Sequence, residues 1–157
     1  MKQTMTAWLV AVVVLVSGGS LLAHHSLANH DTTQAVRVKG TIVEFHVINP
    51  HSFIYVEEKT ADGQIRRWAV EGPSGIQLGR MSQQNAVKVG DVIEVCGYQP
   101  KEAVMWQIAN ADPKARSLAG RLITAEMLVM PDGKVQSWGD SGFHKCFPPD
   151  YRDQHSR

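Results

Sequence analysis

The sequence has no excess of charge of either sign. Of its 157 residues, 16 are Lys or Arg and 15 are Asp or Glu, which gives a formal net charge of +1 at pH 7. Nucleic-acid binding usually requires a basic excess, so this balance argues against a nucleic-acid partner. The chain also lacks the GxSxG, HExxH and phosphate-loop motifs of common enzyme classes. We therefore predict a protein that is not an enzyme.

Long apolar runs are scarce, and the longest one lies near the amino end. Ala7 to Val16 reads AWLVAVVVLV, follows the positive charge of Lys2 and precedes the small residues of SGGSLLA. This run is too short to span a bilayer as a helix. It is typical of a secretory signal peptide. We predict a signal peptide over residues 1–23, cleavage after Ala23, and a periplasmic or secreted protein; an uncleaved anchor is the alternative.

Cysteine is also scarce, with only Cys96 and Cys146 in the chain. Export would place this pair in an oxidising compartment, where two cysteines tend to form a disulfide. The bond would close a loop of about fifty residues and tether a C-terminal tail, residues 141–157, to the folded body. Two free thiols acting as soft metal ligands are the alternative.

The first β-type segment is Val36 to Val47, VRVKGTIVEFHV, in which apolar and polar residues alternate. The alternation changes phase at Gly40. This change predicts a strand that bends or bulges at the glycine and serves two sheet surfaces. Such a strand is typical of a barrel.

The following segments predict further short strands. Ser52–Lys59 and Gln64–Val70 form a hairpin across TADG, Ser74 caps a short helix, and Val89–Tyr98 is another strand. Residues 101–118 show no clear period and predict a short helix and loop, and a second hairpin crosses Pro-Asp-Gly at 131–133. We therefore predict an all-β fold, a small five- to six-stranded OB-like barrel with one short helix. It would span residues 36–140 after an N-terminal arm at 24–35; an immunoglobulin-like sandwich is the alternative.

Three of the seven histidines lie in LLAHHSLANH. Cleavage after Ala23 would expose His24, whose α-amine and ring Nδ1 can chelate one metal ion, next to His25. One further imidazole would complete a nitrogen-only set that suits copper. Cleavage after Leu22 would instead favour a square-planar site at His25, and cleavage after Ala28 would remove both histidines. The alternative is an ordinary polar terminus that binds metal only weakly.

His51 is the candidate for the further imidazole. It lies in INPHSFIYV, where Asn49 and Pro50 predict a turn that starts the next strand at Ser52. The imidazole would then lie at the barrel rim, near the loops that OB-folds use for binding. The alternative is a structural histidine that fixes the turn through the loop backbone.

The remaining polar and aromatic residues carry weaker signals. We interpret His30 as a solvated residue of the arm, and Glu71 as a turn cap among carboxylates on solvated faces. Trp68, Trp106 and Trp138 are interpreted as core and rim packing rather than as a stacking surface for single strands.

Several of these segments occur together in a known family. The segments AHHS, VKGTIVEFHVINPHSFIYVE, WAVEGPS and GDVIEVCGY resemble an uncharacterised family of small secreted bacterial proteins, a domain of unknown function. The resemblance covers roughly residues 22–100 and the MLVMPDGKV hairpin. It implies no activity, and it implies shared motif positions at His24, His25, Asn49, Pro50 and His51. The chain departs from the pattern at Leu27, in residues 101–118 and in its cysteine pair.

Two functions remain open from the sequence. The first is an exported module that binds copper or another transition metal through His24, His25 and His51. The second is a metal-free scaffold in which these histidines are structural and the barrel contacts a protein or a small ligand. The sequence indicates neither an oligomeric state nor the identity of such a partner.

Overall fold

A computed structural model describes residues 27–83, 85–139 and 145–146. The strands in these ranges are β1 (Val36–His46), β2 (Ser52–Lys59), β3 (Ile65–Gly72), β4 (Val92–Tyr98), β5 (Leu122–Val129) and β6 (Val135–Ser137). The helices are α1 (Gly75–Arg80), α2 (Glu102–Ala109) and α3 (Pro113–Ser117), with short 3₁₀ turns at Leu27–Asn29 and Ala119–Arg121. None of the helices in these ranges is long and apolar enough to cross a membrane. The predicted signal peptide and most of the predicted tail lie outside the described residues.

The strands form one sheet that closes into a barrel. Their order is β3-β2-β1-β4-β5, and β5 returns to pair with β3, with Glu71 opposite Thr124. The pairs along this order are antiparallel and the closing pair is parallel. A closed five-stranded barrel with a helix after its third strand is OB-like, so the predicted fold is confirmed and the sandwich alternative is wrong. β6 pairs with the second half of β5, outside the ring.

β1 serves two sheet surfaces, as its sequence predicts. Its first half pairs with β4 and its second half with β2. The strand bulges between Ile42 and Glu44, so that both Ile42 and Phe45 contact the barrel interior. The bulge lies slightly beyond Gly40, where we expected it. Gly40 instead permits close approach of β2, because a Cβ atom there would collide with the Glu57 carbonyl group.

The predicted hairpins and the helix cap are present. Gly63 and Gly133 adopt positive φ angles of 82° and 83° in the turns of the β2–β3 and β5–β6 hairpins, a conformation that glycine adopts without steric cost. α1 begins with a capping box, in which the Gln77 amide donates to Ser74 Oγ (3.2 Å) and the Ser74 amide donates to Gln77 Oε1 (3.1 Å).

Two apolar clusters explain why the chain has more helix than the one short helix predicted for the barrel. The first cluster fills the barrel and includes Ile42, Ile54 and Leu128. The second lies on the other face of β2 and β3, where Phe53 packs with Ile108 and other residues of the segment after β4. Residues 52–56 of β2 are all buried, so this strand needs cover on both faces. Residues 101–121 provide the outer cover as two helices and a 3₁₀ turn.

Candidate functional site

The loop between β1 and β2 carries the NPHS motif and packs against the start of α1. The Gly75 amide donates to the Ile48 carbonyl oxygen (2.8 Å), and Asn49 Oδ1 accepts from the Ile76 amide (3.3 Å). The peptide bond before Pro50 is cis. Asn49 therefore fixes the loop to the helix, a structural reason for this residue in the motif.

His51 follows this loop and is buried, with only 6% of its surface exposed. Its Nδ1 lies 2.6 Å from Oε1 of Glu71, near the end of β3. Glu71 is 2% exposed, so the interpretation of this residue as a solvated turn cap is wrong. The reason is topological: this end of β3 pairs with β2 on one side and with β5 on the other. The predicted rim position of His51 is likewise corrected to a buried one.

Two hydrogen bonds lead from Glu71 into the arm. Thr124 Oγ1 donates to Glu71 Oε2 (2.5 Å), and Nε2 of His30 lies 2.9 Å from Thr124 Oγ1. His30 is 4% exposed, so its interpretation as a solvated residue is wrong. The sequence offers no local signal for this burial, since polar residues surround His30. The close contact of His51 with Glu71 and these two hydrogen bonds therefore connect two buried imidazoles through one carboxylate and one hydroxyl group.

The N-terminal arm is docked on the segment that follows β4. The Asp31 amide donates to the Gln99 carbonyl oxygen (2.9 Å), and the Lys101 amide donates to that of Asn29 (2.8 Å). Lys101 Nζ also donates to the Ala28 carbonyl oxygen (2.8 Å). These backbone contacts hold the arm in place and insert the intervening imidazole into the barrel end.

Cys96 and Cys146 form the predicted disulfide, and both are fully buried. The free-thiol alternative is therefore wrong. Lys145, next to the bond, donates through Nζ to the carbonyl oxygens of Thr32 (2.6 Å) and Thr33 (2.9 Å). The tethered segment thus holds the second half of the arm, in addition to joining the tail to the barrel.

A cavity of about 380 Å³ lies beside the buried histidines. Its walls include His30, Glu71, Glu126 and Trp138. Gly139 lies directly against the Glu126 side chain, where a Cβ atom would collide with the carboxylate. The cavity therefore combines two buried carboxylates, an imidazole and an indole, at the lower end of the volume range of small-ligand sites.

The predicted metal ligands fall in two groups. His51 is described and lies in the network above, whereas His24 and His25 lie outside the described residues. Within the described part of the chain, no group of three or more His, Cys, Asp or Glu side chains is arranged to hold a metal ion. A metal site at this end would therefore require the amino-terminal pair.

The aromatic residues pack as predicted. Tyr55 and Tyr98 are fully buried, and Trp138 is buried against Phe45 in the barrel cluster. Trp106 is about half exposed on α2. These side chains do not form a shared stacking surface.

Sequence reasoning missed a second histidine–carboxylate pair, on the outer face of the barrel. His46 Nδ1 lies 2.5 Å from Asp112 Oδ2, and its Nε2 lies 3.2 Å from Glu44 Oε2. Glu44 also pairs with Lys114. Asp112 caps α3 by accepting from the Lys114 amide (2.8 Å). The Asp-Pro pair at 112–113 is the one sequence signal that could have indicated this cap.

The surroundings of Asp112 shift two pKa values. Burial by itself raises the pKa of Asp112, but hydrogen bonds from the His46 ring and the Lys114 amide outweigh it and hold this pKa below its ordinary value. Burial raises the pKa of Tyr55 far above its ordinary value, and the nearby negative charge of Asp112 raises it further. The Asp112 carboxylate is therefore ionised over the physiological range, and the Tyr55 hydroxyl is neutral.

The family of unknown function DUF6152 matches residues 11–108. The chain belongs to this family. The match begins within the predicted signal peptide and runs through β1 to β4 and most of α2, so it contains the HHS and NPHS segments. The predicted membership in a family without an assigned activity is confirmed, and the MLVMPDGKV hairpin lies beyond the matched residues.

Comparison with solved structures finds a distant likeness. The mitochondrial single-stranded DNA binding protein Rim1 of S. cerevisiae superposes with a TM-score of 0.40 at 11% sequence identity, covering 68% of this chain and 96% of that chain. A likeness at this level supports no conclusion about what this family member binds. No curated protein matches the chain in sequence.

Proposed function

We propose that the chain is an exported binding module that holds a transition metal, with copper as the preferred ion. The ligands would be the α-amine and imidazole of His24, exposed by cleavage after Ala23, together with His25 and the buried His51. All of these donors are nitrogen atoms, and such a set favours copper over the harder divalent cations. Export and the absence of enzymatic and nucleic-acid-binding activity are parts of this proposal.

The single observation that carries the proposal is the pairing of His51 with Glu71. Metal-binding histidines usually donate their second ring N–H to a carboxylate or a carbonyl group, which fixes the ring and raises its basicity. The 2.6 Å contact between His51 Nδ1 and Glu71 Oε1 places a carboxylate beside one ring nitrogen of His51, where it can serve as the orienting group of a metal ligand.

The position of the arm supports the amino-terminal half of the site. Lys101 holds Ala28 and Asn29, and His30 lies within hydrogen-bond distance of Thr124 at the same barrel end as His51. His25 precedes Leu27 by two residues, and two extended residues span at most about 7 Å. The chain leading to the predicted ligands therefore starts beside the buried imidazoles.

The test has two steps. Amino-terminal sequencing of the exported protein should give a mature chain that starts at His24. Titration of that protein with Cu(II) should then show tight one-to-one binding, and His51→Ala should weaken it at least tenfold, which is about 1.4 kcal/mol. His46→Ala is the matched control, because it removes the other carboxylate-paired imidazole and should leave the affinity unchanged.

Two outcomes would contradict the proposal. A mature chain that starts at Asn29 lacks the amino-terminal pair altogether. An affinity that is the same in His51→Ala as in the wild-type protein would leave only a generic chelate at a free terminus.

A metal-free binding module is the second candidate, and the cavity of about 380 Å³ favours it. A small ligand there would contact Glu126 and Trp138 rather than the amino terminus. A stabilising ligand found by thermal-shift screening, with binding that Glu126→Gln abolishes and His51→Ala leaves intact, would favour this candidate over the metal site.

A further inference from the structure

We propose that residues 28–33 form a strap that closes one side of the cavity and opens as a single unit while the barrel stays folded. A small molecule would enter and leave the cavity when the strap opens, so the strap would set the rate of this exchange. This inference goes beyond the copper site, because neither the strap nor the cavity requires a metal ion.

The cavity wall is built from two kinds of segment. Most of it comes from the ends of β3 and β5, from α1, and from Trp138 and Gly139. β3 and β5 pair with each other and with their neighbours around the barrel, and Leu78 of α1 packs with Trp138 in the barrel cluster. His30 is the wall residue that the arm supplies. The side of the cavity at His30 is therefore the one that can move without breaking the strand pairing.

The strap buries very little of its own surface. Within residues 28–35 only His30 is buried, and the other side chains are exposed or half-buried. Segments with few buried apolar contacts open locally at a lower free energy than the strands of a core. The strap should therefore open far more often than the barrel unfolds.

Two lysines outside the strap hold its two ends. Lys101 binds the carbonyl oxygens of residues 28 and 29 through its Nζ and its amide. Lys145 Nζ binds those of residues 32 and 33. Between these anchors, His30 forms an isolated bridge with Pro100 and directs its ring into the cavity wall. Release of either end should therefore loosen the wall residue in the middle.

Asp31 couples the two anchors. Its carboxylate accepts from the Thr33 amide (3.0 Å) and from the Thr33 hydroxyl group (2.5 Å), which ties the second half of the strap together. These hydrogen bonds hold the pKa of Asp31 below its ordinary value, and the positive charges of Lys101 and Lys145 lower it further. One carboxylate is thus attracted to both lysines, so that loss of one anchor should weaken the whole strap.

Opening of the strap changes the cavity in a defined way. It withdraws the His30 ring from Thr124 Oγ1, which lies 2.9 Å from Nε2 of His30, and so removes one wall. Glu126 and Trp138 stay with the barrel. A ligand held against these two side chains would be released on the side of the strap.

Hydrogen exchange measured by NMR on the metal-free protein tests whether the strap opens as a unit. The Asp31 amide donates to the Gln99 carbonyl oxygen and the Lys101 amide to that of Asn29, so both amides exchange when the strap opens. We expect the two amides to share one opening free energy, lower than that of the amides in β2 and β3. Lys145→Ala should lower both protection factors by about fivefold, although Lys145 binds the far end of the strap.

Two exchange results would overturn the proposal. A loss of protection at only one of the two amides in Lys145→Ala would mean that the strap frays piece by piece. Wild-type protection of both amides equal to that in β2 and β3 would mean that the arm opens only when the barrel unfolds.

Carbethoxylation of histidine by diethyl pyrocarbonate, resolved by mass spectrometry, tests whether the cavity opens. His30 is 4% exposed, so the reagent should reach its ring only when the strap is open. Lys101→Ala and Lys145→Ala should each raise the rate at His30 by about fivefold. His46, whose side chain is 34% exposed, is the internal reference and should keep its rate.

Lys134→Ala is the matched control, because it removes a lysine that pairs with Asp132 in the β5–β6 turn. It should leave the rate at His30 as in the wild type. An unchanged rate in both strap variants, or an equal rise in the control, would overturn the proposal. The copper site fails separately: cleavage after Ala28 would remove His24 and His25 and leave nearly all of the strap.

Discussion

The barrel contains two histidine–carboxylate pairs with nearly the same N···O distance and opposite surroundings. His51 and Glu71 lie 2.6 Å apart with side-chain exposures of 8% and 3%, at the barrel end where the arm docks. His46 and Asp112 lie 2.5 Å apart on the outer face, and the His46 side chain is 34% exposed. In both pairs the near ring nitrogen is Nδ1, but only the Nδ1 of His46 forms a hydrogen bond with its carboxylate.

The neighbours of the second ring nitrogen explain the difference in role. Nε2 of His46 faces another carboxylate, Glu44, which also binds Lys114. A ring held between two carboxylates on different elements suits a clamp that holds α3 against β1. His51 lies beside Glu71, which lines the cavity, and this position suits a ligand-binding role. The same residue pair therefore serves packing in one place and a candidate site in the other.

The largest expected effect comes from removing the disulfide, which should loosen the N-terminal arm and leave α3 unchanged. Cys146→Ser removes a bond that closes about fifty residues and should lower the free energy of unfolding by about 4 kcal/mol. Because Lys145 holds Thr32 and Thr33, amide hydrogen exchange should rise in the arm and stay unchanged in α3. Urea unfolding and exchange mass spectrometry measure the two effects.

Lys145→Ala is the control for this prediction. It keeps the disulfide but loses the contacts to the arm, so exchange should rise in the arm with only a small change in stability. Equal exchange in the arm for all three proteins would show that the tail segment does not hold it.

The next largest loss of unfolding free energy should come from replacing Glu71 or Asp112 by alanine. Glu71→Ala removes the buried carboxylate beside His51 and the acceptor of the Thr124 hydroxyl group, and it should cost about 3 kcal/mol. Asp112→Ala loses a helix cap and a half-exposed ring contact and should cost about 1 kcal/mol. Urea unfolding at neutral pH measures both values. A cost for Asp112→Ala as large as that for Glu71→Ala would mean that burial does not distinguish the pairs.

The smallest effect is the pH dependence of the outer pair. The pKa of Asp112 lies below its ordinary value, so its contribution to stability is complete above about pH 4 and is lost as the pH falls through the folded-state pKa. Asp112→Asn keeps a capping side chain but cannot titrate. Between about pH 6 and about pH 3, the wild type should therefore lose more unfolding free energy than the variant. Parallel losses would show that the clamp does not stabilise the ionised form.

Local patterns predicted most of the barrel. The turn at Gly63, the cap at Ser74 and the hairpin turn at Gly133 each depend on neighbours in sequence. The sequence predicts a bulge in β1 at Gly40, whereas the bulge lies between Ile42 and Glu44. The alternation of apolar and polar residues shows that the buried face of the strand changes, but it does not show at which residue the strand bulges. The sequence predicts one short helix and a loop at residues 101–118, whereas the structure has two helices there. Their apolar residues pack against β2, which is distant in the sequence.

The candidate site was only partly predictable. His51 was identified from its motif, but its partner was not, since the contact of Glu71 with Thr124 arises where β3 and β5 close the ring. His30 gave no signal, because its burial depends on backbone pairing between the arm and the segment after β4. Pairing between segments that are distant in sequence produces no local pattern of apolar and polar residues from which these contacts could be predicted.

The short sixth strand has a consequence for the behaviour of the protein in concentrated solution. Sheets with long unpaired edges recruit strands from other molecules and aggregate. Here β1 to β5 pair with one another around the barrel, and β6 extends the sheet by only the three residues Val135–Ser137. So short an edge strand offers few unpaired backbone groups to an incoming chain, which lowers the tendency of this edge to recruit other molecules.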